Sequence, residues 1–332
     1  MRTEDRQDRA TGAPRRMTSR FTGKPRARIV RRRRHATDAA QYLALPGGIV
    51  VLLLVGLPFL GVVYFSVFTV TPSTIGNIAN MPFAGLSNYA SALTQPAQVG
   101  TTFTGSLLVS LKFAGLTSLV DIPLGIFAAM TVSERGRRQG VWRAIYLVPY
   151  VIPGVVTGLF GRFFFTTKTG FVDEVLKVVG LTNGQTLWLL GGNSFWAMLV
   201  LEIWSTWGFV YLLVLAGLQS IDDNLMEAAV LDGCGYVGRW RAVVWPSISR
   251  LSLFALALST LYHFNNFTLP FILFDGTPPS QAYVLSTNVY LTSFQGFNTG
   301  LGCAEGVLMM VIELVPVVVY LKMAGLTKRK EA

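Results

Sequence analysis

The sequence predicts an all-α integral membrane protein with six transmembrane helices, and three observations carry that reading. Six apolar runs each approach the ~20 residues that cross a hydrocarbon core. Only 14% of the 332 residues are charged, against 52% hydrophobic, where a soluble domain carries roughly 25% charged residues. Lys and Arg alternate strongly from one side of the runs to the other.

Residues 1–41 form a basic tail holding 13 of the 28 Lys and Arg, with Arg31–Arg34 as a block. Low hydrophobicity and like charge predict disorder there. Arg15-Arg16 hints at a twin-arginine signal, but the apolar run that follows is long and lacks a small-residue cleavage site, which favours a retained anchor. The predicted spans are Tyr42–Ser66, Ser106–Val132, Ala144–Thr166, Phe195–Leu218, Ile248–Leu273 and Leu301–Leu321. Pro58, Pro123, Pro153, Pro270 and Pro316 fall inside them, which helix bundles in membranes tolerate. A six-helix transmembrane domain is thus expected over 42–321 and a second basic tail over 322–332.

Orientation follows from basic residues flanking the spans. The N-tail and segments 133–143, 218–250 and 322–332 hold 24 Lys and Arg, whereas 67–103, 167–192 and 275–300 hold 2, Lys168 and Lys177. Both termini are therefore expected in the cytoplasm, in a multi-pass protein of the bacterial inner membrane. The net charge of +11 sits in the tail rather than on a folded face with interleaved aromatics, which argues against nucleic acid and for anionic lipid. Of the outer segments, Phe171–Gly192 carries an apolar stripe of Val172, Val175, Leu176 and Val179, expected on the outer surface. Gly276–Gly300, with Pro278-Pro279, reads as a capping loop or a face for a soluble partner.

Between the fourth and fifth spans lies MEAAVLDGCGYVGRWRAVVWPSISR, Met226–Arg250. Glu227, Ala228 and Ala229 favour helix, and Gly233 and Gly235 interrupt it. Trp240, Val243 and Val244 give an apolar face that Pro246 is expected to end. A patterned stretch this long reads as a docking element rather than a plain connection.

The pattern Glu227-Ala228-Ala229, Asp232-Gly233, Trp240 and Pro246 resembles the cytoplasmic EAA loop of permease subunits in binding-protein-dependent ABC importers, with Cys234 where that family usually has Ala. The resemblance implies the ABC importer permease (MetI-like) fold, with 219–247 as the coupling element that fits a cleft on an ATPase. It implies as partners a second homologous permease chain in a heterodimer, two copies of an ATPase and an extracytoplasmic solute-binding protein. In those roles Glu227 and Asp232 meet basic groups of the ATPase, Gly233 permits the bend and Trp240 supplies apolar contact.

Polar groups at membrane depth are functional candidates because unpaired burial is costly. Lys112 and Asp121 lie nine residues apart on the second span, too far to pair. Lys112 is expected to snorkel, and Asp121 to cap the irregularity at Pro123 or meet another helix. Arg162 is expected to reach headgroups. Glu305 and Glu313 share a side of the last span and either line a cavity or face a partner. Glu202, Thr206 and Phe209, with Ser205 beside them, share a face of the fourth span; Ser259, His263 and Asn266 share one of the fifth. Carboxylate, hydroxyl, imidazole, amide and aromatic rings together suit a polyhydroxylated ligand. They also suit plain hydrogen bonding between helices, and the pattern leaves both readings open. Trp204, Leu218-Gln219-Ser220-Ile221 and Phe264-Asn265-Asn266-Phe267 are similar to the maltose-transporter permease subunit family. That resemblance implies a sugar held by Glu202, Thr206, Phe209, Ser259, His263 and Asn266. Ser259 and Asn266 keep the family's residue type and the other four do not, which points away from maltose itself.

The chain has two His, His35 and His263, and two Cys, Cys234 and Cys303, expected at opposite membrane faces. Neither cysteine has metal-ligand neighbours. No HExxH, nucleophile elbow or GxxxxGK[ST] loop is present, so no enzyme, metal or cofactor is expected and ATP must be used by another polypeptide. A stand-alone carrier and a glycerol-phosphate importer are the alternatives; the first lacks a use for the coupling loop, and the second is disfavoured by the acidic Glu202.

Overall fold

The computed structural model of the chain describes residues 45–77, 80–95, 100–133 and 139–324. The basic tail over 1–41, the charged segment 134–138 and the chain beyond 324 lie outside the described residues. The chain divides into two units, Met1–Pro58 and Phe59–Ala332. Among the described residues all regular structure is helical, apart from an isolated bridge between Phe68 and Phe83.

Helix α1, Leu45–Phe65, is apolar on every side and contains a π turn at Leu52–Gly56. The helices of the second unit are α2 (Ser87–Thr94), α3 (Phe103–Ser133), α4 (Gln139–Val151), α5 (Gly154–Phe164), α6 (Phe171–Val178) and α7 (Asn193–Gln219). Then come α8 (Asp223–Leu231), α9 (Tyr236–Arg239), α10 (Trp245–Phe264), α11 (Thr268–Leu273), α12 (Leu285–Phe294) and α13 (Thr299–Met323). Five helices are long and apolar enough to cross a membrane, and the pair α4 and α5 makes up to six.

The third predicted span is not one rod: α4 and α5 are bent by 85°. Pro153 supplies no N–H and its ring drives Ile152 out of the helical region, so the helix stops and restarts at Gly154. The fifth predicted span differs at both ends. Pro246 does not stop the coupling segment, because α9 passes through a π turn, Trp240–Val244, directly into α10. Pro246 follows closely on this π turn, whose wider spacing of carbonyls makes room for the ring and the missing N–H. At the far end Asn265–Phe267 interrupts the rod before α11. The outer segments hold two helices that hydropathy did not signal, α2 and α12.

Helices α3, α7 and α10 pack on one another and form the core. Hydrophobicity cannot select their inner faces, since lipid on the other side is equally apolar; small residues do so instead. The buried face of α3 reads Ser110, Phe113, Ala114, Thr117, Ser118, Asp121, Gly125, Ala128, Ala129, small apart from Phe113 and Asp121. Leu108, Leu119 and Phe127 of the same helix point outward and are exposed. At Gly125 the two backbones meet: a Cβ there would lie 2.6 Å from the Val210 side chain and 2.8 Å from the Tyr211 amide nitrogen. A backbone neighbour cannot swing away, so only glycine allows α3 and α7 this close.

Helix α6 carries the apolar run at its surface, Val172 and Leu176 half-buried, and an acidic residue beneath it. Val175 and Val179 are exposed, and the acidic Asp173 is the fully buried residue. Its carboxylate accepts from the Lys168 amide at 3.0 Å, the Trp188 indole at 3.2 Å and the Thr186 amide at 3.4 Å. Lys168 itself sits at φ 73°, a left-handed conformation that Asp173 helps to hold. Burial alone would raise this carboxyl, but the three donors hold it below the usual aspartate range. Its stabilising effect is therefore present above the unfolded value and lost as pH falls through the folded one. At neutral pH an Asp173→Asn variant should be cut by trypsin at Lys168 and Lys177 several-fold faster than the parent. Equal cutting rates would show that Asp173 does not order this segment.

Arg162, expected among headgroups, instead pairs with Asp275 across α5 and the turn after α11, at 3.1 Å.

Candidate functional site

The α3–α7–α10 seam encloses a network of polar side chains. Asp121, Glu202 and His263 are each at most 1% exposed. His263 is held from both sides: Nδ1 lies 2.8 Å from Glu202 Oε1, and Nε2 lies 3.1 Å from Asp121 Oδ2. Thr206 Oγ1 lies 2.9 Å from Asp121 Oδ2 and 2.7 Å from the Glu202 carbonyl, so two acceptors share its one proton. Asn266 Nδ2 donates to Glu202 Oε2 at 2.7 Å. Its Oδ1 accepts the Leu269 amide at 3.2 Å and so caps α11. An amide suits this corner because it donates and accepts at once.

Each partner is placed by local sequence. Ser259 and His263 lie on the small-residue face of α10 that includes Ile248, Ser252 and Ala255. Glu202 and Thr206 lie one turn apart on α7, so one imidazole reaches the former while Asp121 reaches the latter. Both nitrogens of His263 face carboxylate oxygens. A neutral ring donates through one nitrogen only, so the trio needs one proton more than a neutral imidazole brings.

Two cavities border the network. The first, about 620 Å³, is lined by the α4–α5 break at Pro153 and Gly154, by Thr157, Glu202 and Ser205, and by Leu261–Leu269 except His263 and Phe264. The second, about 480 Å³, is lined by Tyr150, Thr206, Phe209, Leu258, Ser259, Tyr262 and His263. All six predicted substrate residues thus border one cavity or the other. Glu202, Thr206, Ser259 and His263 do so with little exposed surface, and the hydrogen-bonding atoms of Glu202 and His263 are engaged within the network, with each other, with Asp121 and with Asn266. The sequence reading missed Tyr262, which is exposed and lies on both cavities. Its spacing from Ser259 and Asn266, three and four residues, was the signal available. It also missed Asp121 as a member, since its partners are 85 and 142 residues away in sequence.

Glu305 and Glu313 do not join the network. Glu305 is buried and accepts from Asn288 of α12 at 3.1 Å. Glu313 borders an apolar cavity of about 490 Å³ between α3, α10 and α13. Lys112 is exposed, as expected. Cys234 and Cys303 are both free, and no group of three metal-ligating side chains occurs among the described residues.

The coupling segment is a second, separate surface. Asp222 caps α8 by accepting from the Asn224 amide at 2.9 Å. The helix ends in paired bonds, Gly233 N–H to the Val230 carbonyl at 3.0 Å and Cys234 N–H to the Ala229 carbonyl at 2.9 Å, with Gly233 at φ 77°. This is the glycine-terminated C-cap whose left-handed residue disfavours a Cβ. Glu227, Ala228, Asp232, Gly233 and Pro246 are exposed, and Leu231 is 87% exposed. Met226, Glu227, Val230, Leu231 and Arg239 bound a shallow depression of about 410 Å³. Ala229 is buried, and Trp240 is half-buried against the core of α3, α7 and α10, with its ring 6.0 Å from that of Trp245. Trp240 thus fastens the segment to its own bundle.

The model of the family described as binding-protein-dependent transport system inner membrane component matches residues 121–323, which hold both the network and the coupling segment. The chain belongs to this family. It is a membrane-embedded transport component of an ABC importer rather than an enzyme, and its family works with a solute-binding protein and an ATPase. Among its relatives, the trehalose/maltose transport system permease protein of Thermococcus litoralis is 29% identical over 284 residues, covering 84% of this chain and 91% of that one. An sn-glycerol-3-phosphate transport system permease protein of Agrobacterium fabrum is 30% identical over 236 residues, covering 69% and 76%. A solved chain of a bacterial alginate ABC transporter, in complex with an alginate pentasaccharide-bound periplasmic protein, superposes with a TM-score of 0.71 at 23% identity, covering 88% of this chain and 96% of that one. That likeness is one of fold.

Proposed function

We propose that this permease forms half of the pathway of an ATP-driven sugar importer. A second, homologous permease chain completes the pathway as a heterodimer, two ATPase copies bind at the cytoplasmic face, and a binding protein delivers a disaccharide or oligosaccharide from outside. Both termini and the coupling segment face the cytoplasm on this reading, as the 24-against-2 distribution of basic residues supports. The EAA pattern, Glu227, Ala228, Ala229, Asp232 and Gly233, with the exposed Pro246, is the ATPase contact, and Trp240 ties it to the bundle. The sugar meets Glu202, Thr206, Phe209, Ser259, His263 and Asn266 at the two cavities.

The observation that carries the proposal is continuity. From Tyr236 to Phe264 the chain is one helical rod of 29 residues, about 40 Å long. Its near end is the coupling segment and its far end carries Ser259 and His263. A displacement imposed by closing ATPases at one end therefore reaches the cavities without an intervening hinge, as alternating access needs.

The test is uptake. Asn266→Ala removes the donor to Glu202 and the cap of α11, and is expected to lower uptake of radiolabelled trehalose or maltose at least several-fold while the ATPase still co-purifies. Unchanged uptake would make the network purely structural. The 30% identity with a glycerol-phosphate permease keeps a second cargo class, a phosphorylated polyol, in view.

A further inference from the structure

The relatives name cargo of both kinds, neutral disaccharide and phosphate monoester, so kinship leaves the charge of the cargo open. The walls of the cavities speak to it. Among the described residues neither cavity is lined by a Lys or an Arg. The one basic side chain is His263, and both its nitrogens are held by carboxylates, at 2.8 Å and 3.1 Å. Two acids share one base, so the trio has no positive charge to spare whichever atom holds its protons. Arg162, on the neighbouring α5, is paired with Asp275. The remaining polar groups on the first cavity are hydroxyls and amides, Thr157, Ser205, Tyr262, Asn265, Asn266 and Thr268. A phosphate, sulfonate or carboxylate in the first cavity would face Glu202, the single acid on its wall, with no cation among the described residues to receive it.

We propose that the buried Asp121–His263–Glu202 trio acts as a charge filter, so that this permease accepts neutral or amino sugars and excludes anionic ones. The inference rests on the sugar-import reading above and narrows its substrate class. Asp121 enters as a positioning residue: it occupies Nε2 of His263 and so prevents the imidazole from turning to serve an anion.

The test isolates the permease from its binding protein, which has a selectivity of its own. The tagged chain is drawn from its native membrane with the subunits that accompany it, placed in lipid nanodiscs, and titrated with radiolabelled trehalose, maltose, glucosamine and sn-glycerol 3-phosphate. The phosphate ester is expected to bind at least about tenfold more weakly than the best neutral or amino sugar, since like charges brought together across an interface cost well over that ratio. Glu202→Gln, which keeps shape and removes a charge, is expected to narrow the gap. Ser205→Lys, which adds a cation to the half-buried wall, should narrow it even where the first variant fails to accumulate. Glycerol phosphate binding as tightly as the sugars overturns the filter and leaves the importer reading standing. A gap unchanged in both variants overturns the trio as its cause. Retention of glycerol phosphate alone overturns the sugar reading and the filter with it.

Discussion

The His263→Ala chain is expected to accumulate poorly in membranes and, once solubilised, to unfold at a markedly lower temperature than its parent. The loss of hydrogen bonds alone would not do this, since an interhelical polar contact in a membrane protein averages only about 0.6 kcal/mol. Charge is the larger effect. Asp121 and Glu202 are at most 1% exposed, and both rely on the same imidazole. Removing one partner of a buried ion pair costs roughly 3–5 kcal/mol, a large share of a typical total stability of about 5–15 kcal/mol. The companion variant His263→Ala with Asp121→Asn and Glu202→Gln removes the stranded charges together with the base. It should recover much of the lost stability without recovering sugar binding. Fluorescence-detected gel filtration after heating reads both variants. A single mutant as heat-resistant as the parent would show that the trio does not hold the three helices by charge.

Gly233→Asp is expected to abolish most uptake while the chain still inserts and reaches normal levels. No atom lies within 4 Å of the added Cβ, so the cost is one of backbone alone. At φ 77° a side chain costs about 1–2 kcal/mol, too little to unfold the bundle. It is enough to shift the turn that joins α8 to α9, because this turn is surface structure with few tertiary contacts to resist. Asn and Asp both tolerate the left-handed region better than most residues, so Gly233→Asn should retain more uptake than Gly233→Val, and the difference between Gly233→Asn and Gly233→Asp measures the added charge on the docking face. Uptake and the amount of co-purified ATPase, compared at equal membrane levels, distinguish lost docking from lost transmission. Full uptake in all three variants would remove the coupling segment from the mechanism.

The spans were legible because a run of about 20 apolar residues matches the thickness of a bilayer core and is rare in chains that fold in water. Their geometry was less so. Pro153 and Pro246 look alike in sequence, yet one ends a helix and bends the chain by 85° while the other sits inside a continuous rod. The difference lies in the preceding turn: the π turn at Trp240–Val244 accommodates Pro246, and composition does not reveal a π turn. Helix α12 escaped notice because ten mixed residues after Pro278-Pro279 carry no membrane signal. The substrate candidates were chosen on spacing along single helices, which correctly gathered Glu202 with Thr206 and Ser259 with His263. Spacing does not join helices, and so Asp121 was set apart from the partners it touches. Asp173 was passed over because its donors are mostly backbone amides, which leave no trace in the residue pattern.

The backbone contact at Gly125 has a consequence for the transport cycle. Where α3 lies against the Val210 side chain and the Tyr211 amide, the helices are close enough that sliding or rolling one past the other would break the contact. A stroke that keeps this contact moves the two helices as one block and falls to joints elsewhere, such as the 85° elbow between α4 and α5.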